Sequence, residues 1–349
     1  MSGSSRAPPL RIGVLGAASI ARAFIAGVRP STRVVVTAVA SRDAERASRF
    51  ATEVDVARTF ASYEDLLADP QVDAIYNPLP NSLHAPWTIR AARAGKHVLC
   101  EKPLAMSAAE ATAMFDAARQ HGVHLIEGYP YRAQPQTLKL LELAQAGSVG
   151  PLQLIQASFG FMLAPGPNIR RDPALGGGAL MDVGTYPVSL VRTLAGERPS
   201  RVSAVALWAD SGVDRAIAAT LEFASGLLAQ VTCSFSTSLH REALIVGTTG
   251  SIRTPFLNHP PVDRPAELLL KRGTGRDAQE VPIEVPALNG FRAEAEAFEE
   301  LIRSGAPGGA STPSAALMSP AESVDTMWIL EAILHSARSG PAVCGGEPR

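Results

Sequence analysis

A chain of 349 residues, 46% of them hydrophobic and 19% charged, has the material for a large core, and its length suits two domains better than one. A formal net charge of -1 leaves no cationic surplus for a nucleic acid or an anionic membrane surface, so a small neutral or mildly anionic partner is expected. Cys100, Cys233 and Cys344 stand far apart without C-x-x-C spacing, which speaks against a disulfide framework or thiolate metal site and for a reducing, cytoplasmic setting.

The opening "MSGSSRAPP", residues 1–9, lacks the charged-then-apolar order of a secretory signal and reads as a flexible lead. No apolar run reaches the roughly 18 residues of a spanning helix, so no membrane partner is expected. From residue 10, short β-rich runs alternate with amphipathic stretches. "LRIGVLG" precedes a helix from about Ser19, "VVVTAVAS" precedes "RDAERASRFATEV", and "VDAIYNP" precedes "SLHAPWTIRAARAG". "KHVLC" precedes "SAAEATAMFDAARQHG", and "HLIEGY" follows. Repeated strand–helix–strand units build a doubly wound parallel sheet covered on both faces, assigned to residues 10–130.

After about Tyr131 the rhythm changes. One helix, "PQTLKLLELAQAG", leads to "LQLIQASFGF", a Gly-rich turn and another helix. Then come "RVSAVALWA", "AIAATLEF", "LLAQVTCSFS", "EALIVGTTGSIRT" and "AELLLKRG". Strands joined by short turns predict an α+β domain with a mostly antiparallel open sheet over residues 131–340, the part expected to bind substrate and to oligomerise. Helices over about Gly290–Ser304 and Pro320–Arg338 are expected to cover that sheet, with "SGAPGGASTPS" between them a surface loop. Alternation in "LLAQVTCSFS" is read as putting Leu228 and Val231 on one broad apolar face.

"GVLGAASIA" follows the first strand and opens the first helix, where a dinucleotide fingerprint belongs. From Gly16 it reads G-x-A-x-x-A, with Ala18 and Ala21 in place of glycines and Ser19 and Ile20 between them. Small residues let the backbone approach a diphosphate at the helix amino terminus, although a tight strand-to-helix turn without a ligand would read the same. The second strand ends in Ser41-Arg42-Asp43, where an acid would hold the ribose of NAD. Ser41 and Arg42 suit a 2′-phosphate instead, which favours NADP over NAD. Arg42 could equally be a solvated helix-start arginine, and Asp43 an N-cap.

"PLPNSLHAPWTIRAARAGKHVLCEKPLA", Pro78 to Ala105, and "GGGALMDVGTYPVSLVRTLAG", Gly176 to Gly196, resemble the glucose-fructose oxidoreductase/inositol dehydrogenase/MocA family, most of all its dimeric dihydrodiol dehydrogenase and NADP-dependent xylose dehydrogenase branch. The likeness covers nearly the whole chain and implies an N-terminal Rossmann domain. It implies that Lys102 lies beside the nicotinamide and the substrate hydroxyl, that Glu101 faces the cofactor, and that the Lys102–Pro103 bond is cis. Pro78, Leu79, Asn81 and His84 fall where the family's cofactor contacts lie. Asp182-x-Gly184-x-Tyr186 carries tyrosine where many relatives have histidine; Tyr186 could otherwise be a half-buried core tyrosine. Tyr131, Arg132 and Arg170 are candidate substrate contacts, and a homodimer or homotetramer paired through the C-terminal sheet is implied.

Taking a hydride from an alcohol carbon requires the hydroxyl proton to leave, and free tyrosine, with a pKa of about 10, is a poor base. An adjacent ammonium favours the phenolate, so Lys102 is expected to lower the pKa of Tyr186 and make it general base in oxidation and general acid in reduction. Asp182, four residues before Tyr186 and so expected on the same helical face, would orient a substrate hydroxyl or the lysine. "HGVH", His121 to His124, lacks acidic or thiol companions, and no metal site is expected. The expected function is NADP-dependent hydride transfer to or from a sugar or a cyclic secondary alcohol or ketone. An NAD-dependent glycosidase of the same fold and a non-catalytic NADP(H)-sensing protein are the alternatives, the second disfavoured by the pairing of Lys102 with Tyr186.

Overall fold

In the computed structural model, which describes residues 7–305 and 314–340 and the backbone of 343–344, the first sheet is built from six parallel strands. Its chain order is β1 (Leu10–Leu15), α1 (Ser19–Val28), β2 (Val34–Ala40), α2 (Ala44–Glu53), β3 (Arg58–Phe60), α3 (Tyr63–Ala68), β4 (Ala74–Asn77), α4 (His84–Arg93), β5 (His97–Glu101), α5 (Ala108–Gln120) and β6 (Leu125–Gly128). The strands lie in the order β3-β2-β1-β4-β5-β6, so the order reverses between β1 and β4 and a crevice opens there above the carboxyl ends. Short β3 and α3 carry too few apolar residues to stand out in the sequence. In the "KHVLC" run, Val98, Leu99 and Cys100 are fully buried in a strand flanked by β4 and β6, and the run stops where the chain leaves the sheet.

The second sheet is mostly antiparallel. It follows α6 (Pro135–Gln145) and comprises β7 (Leu152–Met162), then, after α7 (Thr185–Ala195), β8 (Arg201–Trp208), β9 (Asp214–Glu222), β10 (Leu228–Ser234), β11 (Ser236–Gly247), β12 (Gly250–Thr254), β13 (Ala266–Arg272) and β14 (Glu280–Val285). Helices α8 (Gly290–Arg303) and α9 (Pro320–Ser339) close the chain, and β15 (Val343–Cys344) adds to β8. The order is β14-β13-β12-β11-β7-β10-β9-β8-β15, with β7 and β10 the parallel pair. The lead at residues 1–6 and most of the loop between α8 and α9 lie outside the described residues.

Two expectations are corrected. Both closing helices are expected on the second sheet, and only α9 of the two covers it, packing on β8 and α7. Helix α8 returns to the first domain: Phe291, Ala295 and Phe298 join Ile12, Val14, Phe24 and Tyr76 in one buried cluster, and Glu299 Oε2 accepts from Arg33 Nε at 2.8 Å. Burying each phenylalanine contributes about 1.5–3 kcal/mol, enough to decide where an amphipathic helix docks. The second correction concerns β10, where Leu228 is exposed and Val231 buried. Residues three apart on a strand point to opposite faces. The open face instead carries Leu228 with Val205 and Leu207 of β8, which are 70% and 56% exposed.

Candidate active site

The carboxyl ends of β1, β4 and β5 face a cleft of about 370 Å³. Ile20, Pro78, Leu79, Asn81, His84, Glu101 and Lys102 line it from the first domain, and Phe159, Arg170, Asp182 and Tyr186 are among the residues that close it from the second. The Lys102–Pro103 peptide is cis. Lys102 emerges from β5 and donates from Nζ to the Asp182 carbonyl at 2.8 Å and to Asp182 Oδ1 at 3.3 Å. Arg170 Nε holds Asp182 Oδ2 at 2.5 Å, so the carboxylate is gripped by a cation on each oxygen. Burial pushes the Asp182 carboxyl up, but Lys102 and Arg170 outweigh it and hold it below its usual range. Burial likewise pulls the Lys102 ammonium down, and Tyr186, Asp182 and Glu101 outweigh that, leaving it above its ordinary value. The lysine is a fixed cation.

Asp182 lies in a π-helical turn, Leu180–Gly184, that runs into α7. This wider turn replaces the α-helical face expected from the four-residue spacing, and both Asp182 and Tyr186 still border the cleft. Tyr186 is 6% exposed; its ring centroid is 4.9 Å from Lys102 Nζ, and its hydroxyl oxygen accepts from Asn258 Nδ2 at 3.0 Å. Burial pushes its phenol above the ordinary value and Glu101 adds to this, while Lys102, Arg241 and Asn258 pull it back. The expected lowered pKa is therefore corrected: the ammonium offsets part of the burial, and the phenol keeps its proton at neutral pH. Glu101 is buried and accepts from the Tyr76 hydroxyl at 2.5 Å, with burial raising its pKa against Lys102 and Tyr76.

At the other end of the crevice, Gly16 has φ +86°, the left-handed region that favours glycine, and a Cβ there would come within 3.1 Å of Leu79 Cδ2. Helix α1 begins after Ala18 with no side-chain cap, leaving its first N–H groups to a ligand, and Ser19 is exposed in its first turn. An uncapped helix amino end behind a close-approach glycine fits a dinucleotide diphosphate. Ser41 is buried, Arg42 is exposed beside Tyr63, and Asp43 caps α2 by accepting from the Arg46 N–H at 2.9 Å. Arg46 reaches back to the Ala17 carbonyl at 3.1 Å, a second guanidinium at the Gly16 turn that the sequence reading passed over.

His84 borders the cleft, but its ring is spent on structure, with Nδ1 2.8 Å from the Pro103 carbonyl and Nε2 2.7 Å from the Leu79 carbonyl. Asn81 donates to the Gly176 carbonyl at 2.8 Å, tying the loop after β4 to the Gly-rich loop before α7. Two substrate candidates are corrected. Tyr131 is fully buried against Ser189, their hydroxyls 2.8 Å apart, and Arg132 is buried between Thr193, Glu322 and the Leu317 carbonyl. Both brace α7 from behind, because the turn after β6 points into the core rather than the cleft. Arg170 alone of the three lines it. Phe159, Asn258 and His259 line it too without having been singled out. His259 accepts from the Gly290 N–H at 3.2 Å, and burial pulls its pKa down to about 4. Asn258 and His259 sit in a loop and carry no spacing signal, and Phe159 reads as one more apolar residue of β7. His124 stacks on His97 at 5.4 Å, at the amino ends of the strands and away from the cleft.

Residues 10–129 match the model of the GFO_IDH_MocA oxidoreductase family with an NAD-binding Rossmann fold, and residues 137–253 match the GFO/IDH/MocA C-terminal domain. The chain is 38% identical over 337 residues to D-xylose 1-dehydrogenase (NADP(+)) 2 of Haloferax volcanii, covering 96% of this chain and 99% of that one. It is 38% identical over 249 residues to the trans-1,2-dihydrobenzene-1,2-diol dehydrogenase of Danio rerio, covering 70% and 74%. A crystal structure of a 3-ketoreductase from Actinomadura kijaniata, in complex with NADP and TDP-benzene, superposes with a TM-score of 0.84 at 31% identity, covering 94% and 98%.

Proposed function

Because the chain belongs to the GFO/IDH/MocA oxidoreductase family, we propose that it transfers a hydride between NADP and a carbinol carbon of a sugar or cyclic alcohol, or the matching ketone. The observation that carries this reading is the cleft-side arrangement of Lys102, anchored on Asp182 and 4.9 Å from the ring of Tyr186. A screen of sugars and cyclic diols with the purified protein, following NADPH absorbance, tests it. Hydrolysis of a glycoside without net cofactor turnover would replace it with the glycosidase reading.

The nicotinamide, when bound, supplies or accepts the hydride. Tyr186 handles the proton: as the phenol, its form at neutral pH, it gives the proton to a carbonyl oxygen in reduction, and as the phenolate it takes one from a hydroxyl in oxidation. Lys102 stabilises the phenolate that reduction leaves behind. Asp182 holds the lysine in place, and Arg170 holds Asp182. Phe159 and Phe161 offer an apolar wall to the faces of a ring and keep water from the reacting oxygen.

Arg42 and Ser41 stand where the adenosine ribose of a bound dinucleotide belongs, and the relatives that use NADP support their reading as 2′-phosphate contacts. Arg42→Ala is expected to weaken NADP roughly 10- to 100-fold, the value of a charge-assisted hydrogen bond, and to leave NAD nearly unchanged. Equal losses measured for both cofactors by titration calorimetry would remove Arg42 from phosphate recognition.

The boundaries 10–130 and 131–340 serve as working limits of the two domains, with α8 a return of the second onto the first. The open face of the second sheet is read as the assembly surface, because Val205, Leu207 and Leu228 leave it apolar. The native chain is expected to scatter light as at least a dimer, and Val205→Arg with Leu207→Arg to scatter as a folded monomer. A native monomer mass independent of concentration would refute the interface. Buried free thiols at Cys100 and Cys233 support a reducing, cytoplasmic setting. Among the described residues no helix is long and apolar enough to cross a membrane.

A further inference from the structure

Against the ring of Tyr186, β11 delivers a guanidinium that has no counter-charge among the described residues. The Arg241 carbon Cζ lies 4.4 Å from the ring centroid of Tyr186, 4.5 Å from Phe256, 4.8 Å from Phe159 and 5.6 Å from Tyr131. Its Nε is cut off from solvent and has no hydrogen-bond partner. Among the described residues no carboxylate pairs with it, and its one side-chain hydrogen bond runs from Nη2 to Asn258 Oδ1 at 3.2 Å. A partly buried cation held by four rings and one neutral amide is costly for the fold and calls for another reason to be there.

We propose that Arg241 is a positioning residue for proton transfer, which orients Asn258 toward the hydroxyl oxygen of Tyr186 and adds a second positive charge beside the phenol.

The orientation follows from donors and acceptors. A guanidinium only donates, so Asn258 must turn Oδ1 to Arg241 and Nδ2 to Tyr186. The phenol oxygen then accepts from Asn258, and its own proton is left free to point away from Asn258. The charge follows from proximity: a cation packed against the ring favours phenolate over phenol, most strongly where water is excluded. Enclosure pulls Arg241 down to about 10, which leaves it cationic through the neutral range. The other groups acting on Tyr186 divide by sign. Lys102 works with Arg241, and Glu101 works against them. Arg170 is a further cation, while Tyr76 and Tyr129 are neutral neighbours with phenols pushed well above the ordinary value. His259 faces Arg241 and is neutral near pH 7.

The inference rests on the reading of Tyr186 as the proton carrier, and the test is chosen so that the two can fail separately. The full chain is made with 3,5-difluorotyrosine at position 186, a more acidic phenol that brings the ionisation into reach, and is titrated without ligands by fluorine NMR. Arg241→Met is expected to raise the midpoint by about one to two pH units and Arg241→Lys to restore most of the shift. If Arg241→Met does not fold, Arg241→Gln reads the same shift. A midpoint that moves by less than a few tenths of a unit in the folded Met or Gln variant, or that stays raised in the lysine variant, overturns the proposal. Because this titration needs no substrate, its failure leaves the Tyr186→Phe result untouched, and retained turnover in Tyr186→Phe would remove the reading on which it rests.

Discussion

Replacing Tyr186 with phenylalanine is expected to preserve the fold and NADP affinity and to cut turnover by roughly 10²- to 10⁴-fold, the contribution of a positioned general acid or base. The ring is the packed part of the residue, touching Tyr129 and Phe159 at 5.6 Å, and phenylalanine keeps it. The hydroxyl's hydrogen bond within the protein comes from Asn258, whose amide lines the cleft and can turn to water. Thermal stability should therefore change little while kcat falls. Nearly full turnover by the variant on a verified substrate would move the proton path to Lys102 or a histidine and end the tyrosine assignment.

Lys102→Ala is expected to lose at least as much activity, because it removes the charge that stabilises the phenolate and a contact on the cleft wall. Loss in the double variant should fall far short of the product of the two, since both residues serve one proton transfer. The pH profile of Lys102→Met gives a separate check. Burial favours the neutral phenol and the ammonium favours the phenolate, so removing the ammonium leaves burial less opposed and the pKa of Tyr186 rises. The basic limb of alcohol oxidation should then move upward. An unchanged limb would show that Lys102 acts by contact alone. Asp182 limits the structural damage, because Arg170 remains on its second oxygen when the lysine is gone.

Much of this was legible in the sequence where one segment carries both structure and chemistry. The apolar run ending at Cys100 reads as a strand with Lys102 just past its end, the family resemblance adds the lysine's place in the cleft, and the Gly-rich stretch before Tyr186 reads as a loop feeding a helix. The position of α8 was not legible, because an amphipathic helix announces that it covers something and not which sheet. Arg241 was hidden by its strand: among the mixed exposed and half-buried residues of β11, an arginine reads as one more surface charge. The raised pKa of Tyr186 is not legible in the sequence, because a charged neighbour can be read from a motif, whereas the depth of burial depends on Tyr129, Tyr131 and Phe159 arriving from other elements.

The return of α8 bears on how such a protein can be rearranged. Since Phe291 and Phe298 complete the packing around Phe24 and Tyr76, a cut near residue 130 does not release a finished nucleotide-binding module. It leaves an uncovered flank on one piece and an orphan helix on the other. A chimera that grafts a foreign substrate half onto this cofactor half needs two junctions, one after β6 and one before α8, with the same parental sequence on the outer side of both. Exchange of substrate specificity between relatives is thereby an insertion rather than a tail swap.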